Sequence, residues 1–516
     1  MKKIFAFMLL TMSLFAVSTV HAQYDNAKSQ IECENGKVVV SGTFENASED
    51  SKTYSVILAQ YDDKGKLAKI PVYQSAISMK SGENTFSYEC DIDGKEMKVK
   101  LFVLDNDAKN IIQTIDKTIK SLRILAIGNS FSVDGMQWLY QIAKEGGIDN
   151  IVLGNMYIGG CSLAMHRSNA EADKEAYTYY KNITGTWTNT AKQALDTAIT
   201  DEPWDIISIQ QQSAQSGLAD TYNADLDYLI KYINGLKINE DAQLIWHQTW
   251  AYPSVYTPVH KEFVTHDCNQ TTMYNSIVNA VKTKIATNDA FAYYIPSGTA
   301  VQNARGAGFT DYELTRDTCH LSYNLGRYIA GLTWFHKITG LPIDDITFVP
   351  TKVDVPKSYL PIIKECVKNA VLYPDKVTST QETIKRKSYD LSNYTELEWT
   401  PITNAYLDSQ KSSEAITDDS NAPKYITTKI FTRDELPNGT LLVIDEGYMY
   451  RPEGWVTLDS KNEVRPDNVA LNIVEVTDEW WGDYNYRAFN ISTIGAKDIS
   501  NRVDEVAGYF RIYLPK

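Results

Sequence analysis

Between about Ser121 and Phe335 the chain switches repeatedly from continuously apolar runs to stretches of helical period, and this alternation limits its possible folds more than any other feature. ILAI, at 124–127, is apolar at every position, as expected of a parallel strand covered on both faces. Met136, Leu139, Tyr140 and Ala143 follow at helical spacing, and Gly146-Gly147 end that stretch. The strand NIVLGNMYI comes next, then a helix around AKQALDTAI and the strand DIISI. A helix carrying Leu226, Leu229, Ile230 and Ile233, the strand QLIW, a helix around YNSIVNAVKTKI and the strand AFAYYI complete the alternation, with a last helix from about Tyr323 through Phe335. Five strands alternating with helices predict an α/β domain built on a doubly wound parallel sheet, whose ligand crevice lies at the carboxyl ends of the strands.

The flanks have a different period. From Gln23 to about Lys117 the segments KVVVSGTF, YSVILAQYD, NTFSYECDI and KVKLFVLD are separated by turn-forming DDKGK, KSGEN and DIDGK, which predicts an immunoglobulin-like β-sandwich. After about Asp375 the polar linker TSTQETIKRKSYDLS leads into short aromatic-rich strands such as TLLVIDEGYMY, GWVTL, VALNIVEV, YRAFNIS and GYFRIYL, which predict a second β-sandwich or jelly roll. The expected division is therefore 1–22 as a leader, 23–118 and 376–516 as flanking β domains, and 119–375 as the central α/β domain.

The leader is MKKIFAFMLLTMSLFAVSTVHA: two lysines, a short apolar core and small residues at Val20 and Ala22. That pattern predicts a secretory signal cleaved after Ala22, and hence a periplasmic or secreted protein. The apolar run is too short to span a bilayer comfortably, so no membrane insertion is expected. The formal charge of −15, about −17 without Lys2 and Lys3, argues against nucleic acid and anionic membrane surfaces as partners but leaves acidic substrates open. The six cysteines follow no zinc spacing; Cys33 and Cys90 fall in the first β domain and are candidates for a bridge there. Neither metal nor cofactor is expected, and the sequence points to no partner protein.

The chemistry sits in two distant patches, ILAIGNSFS and RDTCHLS. Ser130 follows the first strand of the α/β domain at the corner where such folds expose a nucleophile. His320 is placed to accept the serine proton, and Asp317, three residues earlier, to orient the imidazole. Gly159 and Gly160 follow the second strand, and Gln210, Gln211 and Gln212 follow the third, so backbone and amide donors for an oxyanion also lie at strand ends. A Gly-Asn-Ser turn alone is an ordinary helix cap, and a lone Asp-x-x-His caps a helix equally well. Both together, in this order on an α/β scaffold, favour catalysis.

This order resembles that of the SGNH (GDSL-like) hydrolase superfamily, whose blocks supply serine, glycine, asparagine and histidine in turn. The first block reads Gly128-Asn129-Ser130-Phe131-Ser132, with Asn129 where many members have aspartate; the second is Tyr157-Ile158-Gly159-Gly160; the last is Asp317-Thr318-Cys319-His320. The similarity runs from about Arg123 to Phe335 and is greatest to an exported bacterial branch found with polysaccharide-degrading enzymes. The third block departs: the family has Gly-x-Asn-Asp where this chain has QQQSAQSG. The resemblance implies a Ser130–His320–Asp317 triad and an oxyanion hole made by the Ser130 N–H, the Gly159 or Gly160 N–H and a glutamine, with Gln210 the favoured one. The GxSxG elbow of ordinary α/β-hydrolases is absent.

Other candidates for substrate contact are His166, shortly after Gly160; Trp250, within the aromatic run Trp246, His247, Thr249, Trp250 and Tyr252; and Arg305, whose guanidinium suits a substrate carboxylate. Core packing and a surface salt bridge are the plainer roles for these residues. Cys319, beside His320, is read as packing. The resulting expectation is an exported serine esterase that removes acetyl or methyl groups from a polysaccharide or oligosaccharide, Arg305 favouring methyl-esterified uronates. The alternatives are a lipase or thioesterase on the same triad, or a glycan-binding protein in which Trp455, Trp480 and Trp481 hold sugar.

Overall fold

The computed structural model of the chain describes residues 24–47, 52–62, 64–92, 94–105, 111–254, 261–350, 355–384, 388–402, 406–408, 412–416, 426–445, 448–459, 473–493 and 509–516. The expected leader, 1–22, lies outside them. The protein is mixed α/β, with a large mixed sheet in the centre and further β-sheets on either side.

The N-terminal strands are β1 (Tyr24–Glu34), β2 (Lys37–Asn46), β3 (Lys52–Tyr61), β4 (Leu67–Met79), β5 (Gly82–Asp91) and β6 (Glu96–Asp105). Asn35 and Gly36, both at positive φ, make the two-residue turn joining β1 to β2, the conformation that an Asn-Gly pair adopts at least cost. β1, β2 and β5 form one sheet; β3, β4 and β6 belong to the other, and Val38, Val40 and Phe44 of the first share a core with Val56, Leu58, Val99 and Leu101 of the second. The register rules out the expected bridge. Val38 lies between Cys33 on β1 and Cys90 on β5, pairing with both. Two strand spacings, roughly 9.5 Å, exceed what a disulfide can span, and both cysteines are free thiols.

The expected boundary at 118 falls inside a strand. β7 (Ile111–Gly128) pairs antiparallel with β6 over its first half and parallel with β8 (Asn150–Tyr157) over Ser121–Gly128. Its burial alternates up to Lys120 and is then continuous, so one backbone passes from a sheet with one wet face into one covered on both sides. The N-terminal β-structure is thus hydrogen-bonded into the central sheet, and Lys117 and Asp149 close an ion pair of 2.9 Å across the junction.

The central part continues with β9 (Tyr177–Asn182), β10 (Thr188–Gln193), β11 (Ile206–Ile209), β12 (Gln243–His247) and β13 (Tyr294–Ile295). Its order is β10-β9-β8-β7-β11-β12-β13 within a ten-stranded sheet; β8, β7, β11, β12 and β13 run parallel, while β9 pairs antiparallel with β8 and β10 antiparallel with β9. The five expected parallel strands are therefore present. The β9–β10 hairpin was not anticipated, although Tyr177 and Tyr179 point inward with the alternation of a strand.

The helices are α1 (Ser130–Met136), α2 (Leu139–Glu145), α3 (Leu163–Glu171), α4 (Leu195–Ile199), α5 (Ala224–Leu236), α6 (Gln270–Lys284), α7 (Ser297–Gly306), α8 (Asp311–Leu314), α9 (Leu325–Thr339) and α10 (Leu360–Leu372). Ile124 and Ala126 pack with α1, α2, α7, α9 and α10, whereas Leu125 and Ile127 pack with α3, α4 and α5 on the opposite face. No helix among the described residues is long and apolar enough to cross a membrane.

Beyond 388 two four-stranded sheets, one built on Phe510–Pro515 and Leu441–Ile444 and the other on Tyr486–Thr493 and Tyr448–Trp455, enclose a common aromatic core. Trp480 and Trp481 belong to that core, and Trp455 is equally buried. The alternative in which these three tryptophans hold sugar is removed, and the plainer role of buried aromatics holds: their rings are covered by protein.

Candidate active site

The corner after β7 forms from local chemistry. Asn129 adopts an extended conformation (φ −139°, ψ −156°) and its Oδ1 accepts the N–H of Phe131 at 3.0 Å, capping α1. Ser130 becomes the first helical residue, whose N–H has no partner within the helix. Gly128 is required by crowding: a Cβ there would lie 2.8 Å from Ser132 Oγ and 3.0 Å from Gln210 Cδ.

Ser130, His320 and Asp317 meet although 190 residues separate the first two. Ser130 Oγ lies 2.8 Å from His320 Nε2, and His320 Nδ1 lies 2.8 and 3.0 Å from the two Asp317 oxygens. Asp317 Oδ1 also accepts the N–H groups of Cys319 and His320, at 3.0 and 2.8 Å, so the carboxylate is held by its own turn. Partial burial pushes the Asp317 carboxyl up, but the His320 side chain and these two N–H groups outweigh it and bring it down to about 2. An ionised Asp317 can only accept, so the imidazole proton sits on Nδ1 and the Nε2 lone pair faces the serine hydroxyl.

A buried ionic clamp, not found from the sequence, secures this loop. Asp134 on α1 is wholly buried and receives Arg327 Nε at 2.9 Å, Arg316 at 3.0 Å and the N–H of Leu321 at 2.8 Å. Both guanidiniums also lie over the Tyr323 ring, 4.6 and 4.7 Å from its centroid. Arg316 and Leu321 stand on either side of His320 in the chain, so the clamp ties the His320 loop to the helix that begins at Ser130. Asp134 stands four residues beyond Ser130 at a buried helical position, a weak signal that nothing in the surrounding pattern strengthens.

Gln210 is corrected from its expected oxyanion role. It is buried, its Nε2 donates to Asn129 Oδ1 at 2.9 Å, and its Oε1 faces His247 Nδ1 at 2.8 Å. With the Gln210 oxygen as acceptor, His247 carries its proton on Nδ1, and Ser297 donates to Nε2 at 3.0 Å. Burial holds His247 down to about 3, which keeps it neutral. The chain Ser297–His247–Gln210–Asn129 thus runs behind Ser130 as a brace. Gln211 is also committed, accepting from Leu163 and Gln212 and donating to Thr221. Gln212 is half-buried; its Oε1 accepts from Gln215 N–H, which leaves the amide nitrogen free. Gly159 and Gly160 are exposed, their N–H groups take no partner, and Gly160 has φ +64°. Their loop is drawn against the Ser130 corner by Asn129 Nδ2 donating to Cys161 O at 3.0 Å and by Ile158 N–H donating to Gly128 O.

The three expected substrate contacts are corrected as well. Trp250 is fully buried, stacks on Phe131 at 4.2 Å and donates its Nε1–H to Cys319 O at 2.8 Å, so it supports both the Ser130 and the His320 corners from beneath. Trp246, His247, Thr249 and Tyr252 are buried too, which removes the sugar platform. His166 faces the opposite core, 2.9 Å from Tyr177 Oη, and burial lowers it to about 4. Arg305 is enclosed: Nε donates to Asp311 at 2.8 Å, and its other nitrogens donate to Gln302 and the Ala251 carbonyl, both at 3.0 Å. Its charge is answered inside the protein. Among the described residues the only grouping of metal-ligand type whose donor atoms converge closely is Asp317, Cys319 and His320.

Residues 123–387 match the family model described as "Domain of unknown function (DUF4886)". A solved DUF4886 family protein from Bacteroides uniformis is 40 % identical, the match covering 50 % of this chain and 98 % of that one with a TM-score of 0.47. The salicylyl-acyltransferase SsfX3 from a tetracycline biosynthetic pathway matches at 12 % identity over 62 % of this chain and 94 % of its own, TM-score 0.24. β-Glucosidase 3B from Thermotoga neapolitana matches at 15 % identity over 20 % and 16 %, TM-score 0.14. Scores this low carry no structural argument. A search of the curated proteins found no match.

Proposed function

The chain belongs to the DUF4886 family, and we propose that it is an exported serine esterase of SGNH type that deacylates carbohydrate esters. The observation that carries this is the relay Ser130 Oγ–His320 Nε2–Asp317, with bonds of 2.8 Å and 2.8 Å. Each member is at least partly open to solvent, unlike the buried Ser297–His247 pair, which lacks a carboxylate. The parallel strands in the order second, first, third, fourth, fifth, with helices on both faces, support a doubly wound sheet with its crevice at the strand ends where Ser130 lies.

In this mechanism Ser130 Oγ attacks the ester carbonyl while its proton passes to His320 Nε2. The tetrahedral oxyanion is met by the free N–H groups of Ser130 and of Gly159 or Gly160, with the Gln212 amide nitrogen in place of the absent asparagine. Collapse breaks the bond to the leaving alcohol, which takes the proton from His320. Water then attacks the acyl-serine by the same steps in reverse. Arg305, being engaged internally, no longer argues for a uronate carboxylate, so acetyl esters are the first substrates to test. The leader sequence supports export, and the flanking β modules support a structural role beside the catalytic domain.

The test is to incubate the protein and Ser130→Ala with acetylated and methyl-esterified xylans and pectins and to measure released acetate and methanol. Acetate released by the parent and not by the variant is expected. Equal release by both, or none from any substrate, would overturn the proposal.

A further inference from the structure

We propose that Tyr157 and Tyr180 form a platform for a neutral sugar ring beside the one that carries the ester, at the edge of the central sheet next to Ser130. Its part in turnover rests on the esterase reading above; the binding of glycan does not.

The platform follows from strand register. Tyr157 ends β8 and is the ladder partner of Gly128, two residues before Ser130. Asn155, two residues before Tyr157, accepts the Ser132 hydroxyl at 2.9 Å, and its partner across β9 is Tyr180. Residues directly opposite one another, or two apart on one strand, project from the same face. Both tyrosines therefore stand on the side of the sheet that carries α1. Their rings meet edge to face, with centroids 5.8 Å apart at 73°. A Cβ on Gly159 would stand 3.3 Å from Tyr157 Oη, which puts that hydroxyl against the loop that follows β8. β9 lies two strand spacings from β7, about 9.5 Å, a distance that the next rings of a glycan held at Ser130 cover.

This part of the sheet is open. On the opposite face Tyr177 and Tyr179 are buried among residues of α3, α4 and α5. On the α1 side the helices reach only the tip of the β9–β10 hairpin. There Tyr140 Oη donates to Ile183 O at 3.4 Å, Gln141 Nε2 to Gly185 O at 2.9 Å and Trp187 Nε1 to Gln137 O at 3.3 Å. These bonds fix the hairpin, so a ligand has little ordering left to do. They leave Thr178 and Tyr180 half-buried, and Asn189, opposite Tyr180 on β10, exposed.

The chemistry of these side chains selects the ligand. An edge-to-face pair keeps ring faces available, and a pyranose ring has apolar C–H faces to lay on them. Its rim of hydroxyls meets the two phenols, the Thr178 hydroxyl and the Asn189 amide. Among the described residues neither phenol has a hydrogen-bond partner. A fatty acyl chain would cover these polar groups without answering them. A uronate calls for a cation. Thr178, Tyr180 and Asn189 supply none, and Lys181 turns to the other face, where it pairs with Asp201 and Glu202 at 2.7 and 2.6 Å.

The experiment measures binding and turnover separately, with the intact chain and circular dichroism as a control for folding. In a Ser130→Ala background, calorimetry with xylohexaose, mannohexaose and cellohexaose should find a neutral hexasaccharide that binds, and hexagalacturonate should bind more weakly. Adding Tyr180→Ala should weaken the neutral ligand by about tenfold, and Tyr180→Phe, which keeps the ring, by less. With Ser130 present, Tyr180→Ala should lower kcat/KM on the matching acetylated oligosaccharide about tenfold more than on p-nitrophenyl acetate, which is too short to reach β9. No binding of any neutral hexasaccharide, binding unchanged in folded Tyr180→Ala, or equal losses on the two esters overturns the platform. Tighter binding of hexagalacturonate overturns its neutral preference. If no ester is turned over, the esterase reading fails separately, and calorimetry still decides the platform.

Discussion

Replacing Asp134 by asparagine tests what secures His320. The carboxylate is fully buried, and the guanidiniums of Arg316 and Arg327 beside it are only 14 % and 10 % exposed. Asparagine nearly preserves shape and keeps one acceptor, for the Leu321 N–H, but leaves two enclosed cations without a counter-charge. Breaking a buried ion pair in this one-sided way costs about 3–5 kcal/mol. Because Arg316 and Leu321 flank His320, the loss should also loosen the imidazole relative to Ser130, and a misplacement of about 1 Å costs on the order of 10²-fold in rate. Urea unfolding followed by tryptophan fluorescence, together with kcat on an acetyl ester, reads both effects. Arg327→Leu added to Asp134→Asn removes one stranded cation, so the double variant should be less destabilised than the sum of the single variants. A loss below about 1 kcal/mol with kcat unchanged, or additivity within about 0.5 kcal/mol, would refute the clamp.

Four further outcomes follow from the same geometry. Asp317→Asn should lower kcat by roughly 10⁴-fold, because an amide no longer enforces the Nδ1–H tautomer; single-turnover acylation is the measurement. Asp317 has its carboxyl depressed to about 2 in the folded protein. Its stabilising contribution is therefore fully present above the unfolded value of about 3.9 and is lost as the pH falls towards 2. With this side chain 42 % exposed, screening limits the contribution to about 1 kcal/mol. The difference in urea midpoint between parent and Asp317→Asn should accordingly shrink between about pH 5 and pH 2.5. Trp250→Phe keeps the stack on Phe131 but orphans the Cys319 carbonyl, costing about 1 kcal/mol in stability by urea titration. Arg305→Ala should destabilise by about 2–3 kcal/mol, since Asp311 loses its counter-charge while keeping the Ser254 N–H and the Gln270 amide as donors, and KM should not change; a raised KM at unchanged stability would restore the substrate role.

The sequence alone determined the parts of this protein whose causes are local. The five parallel strands are legible because their periods differ from those of the intervening helices, and Ser130 because an apolar strand ends in a glycine and a capping asparagine. Asp317 and His320 are legible because a three-residue turn brings them together whatever surrounds it. Other features waited for the tertiary structure. Gln210, Trp250, His166 and Arg305 each carry chemistry suited to a crevice, yet all turn inward: distant groups claim the polar atoms of Gln210 and Trp250, with Asn129 81 and Cys319 69 residues away, whereas Tyr177 and Asp311 lie only 11 and 6 residues from His166 and Arg305. The Asp134 clamp spans 182 residues to Arg316 and has no pattern along the chain. Likewise β7 carries the boundary between two sheets within one strand, and β2 comes between Cys33 and Cys90, since strand neighbours are chosen by how sheets pack. Backbone period and capping are written in adjacent residues; the direction in which a polar side chain in a loop points is decided by which distant group satisfies it once water has been excluded.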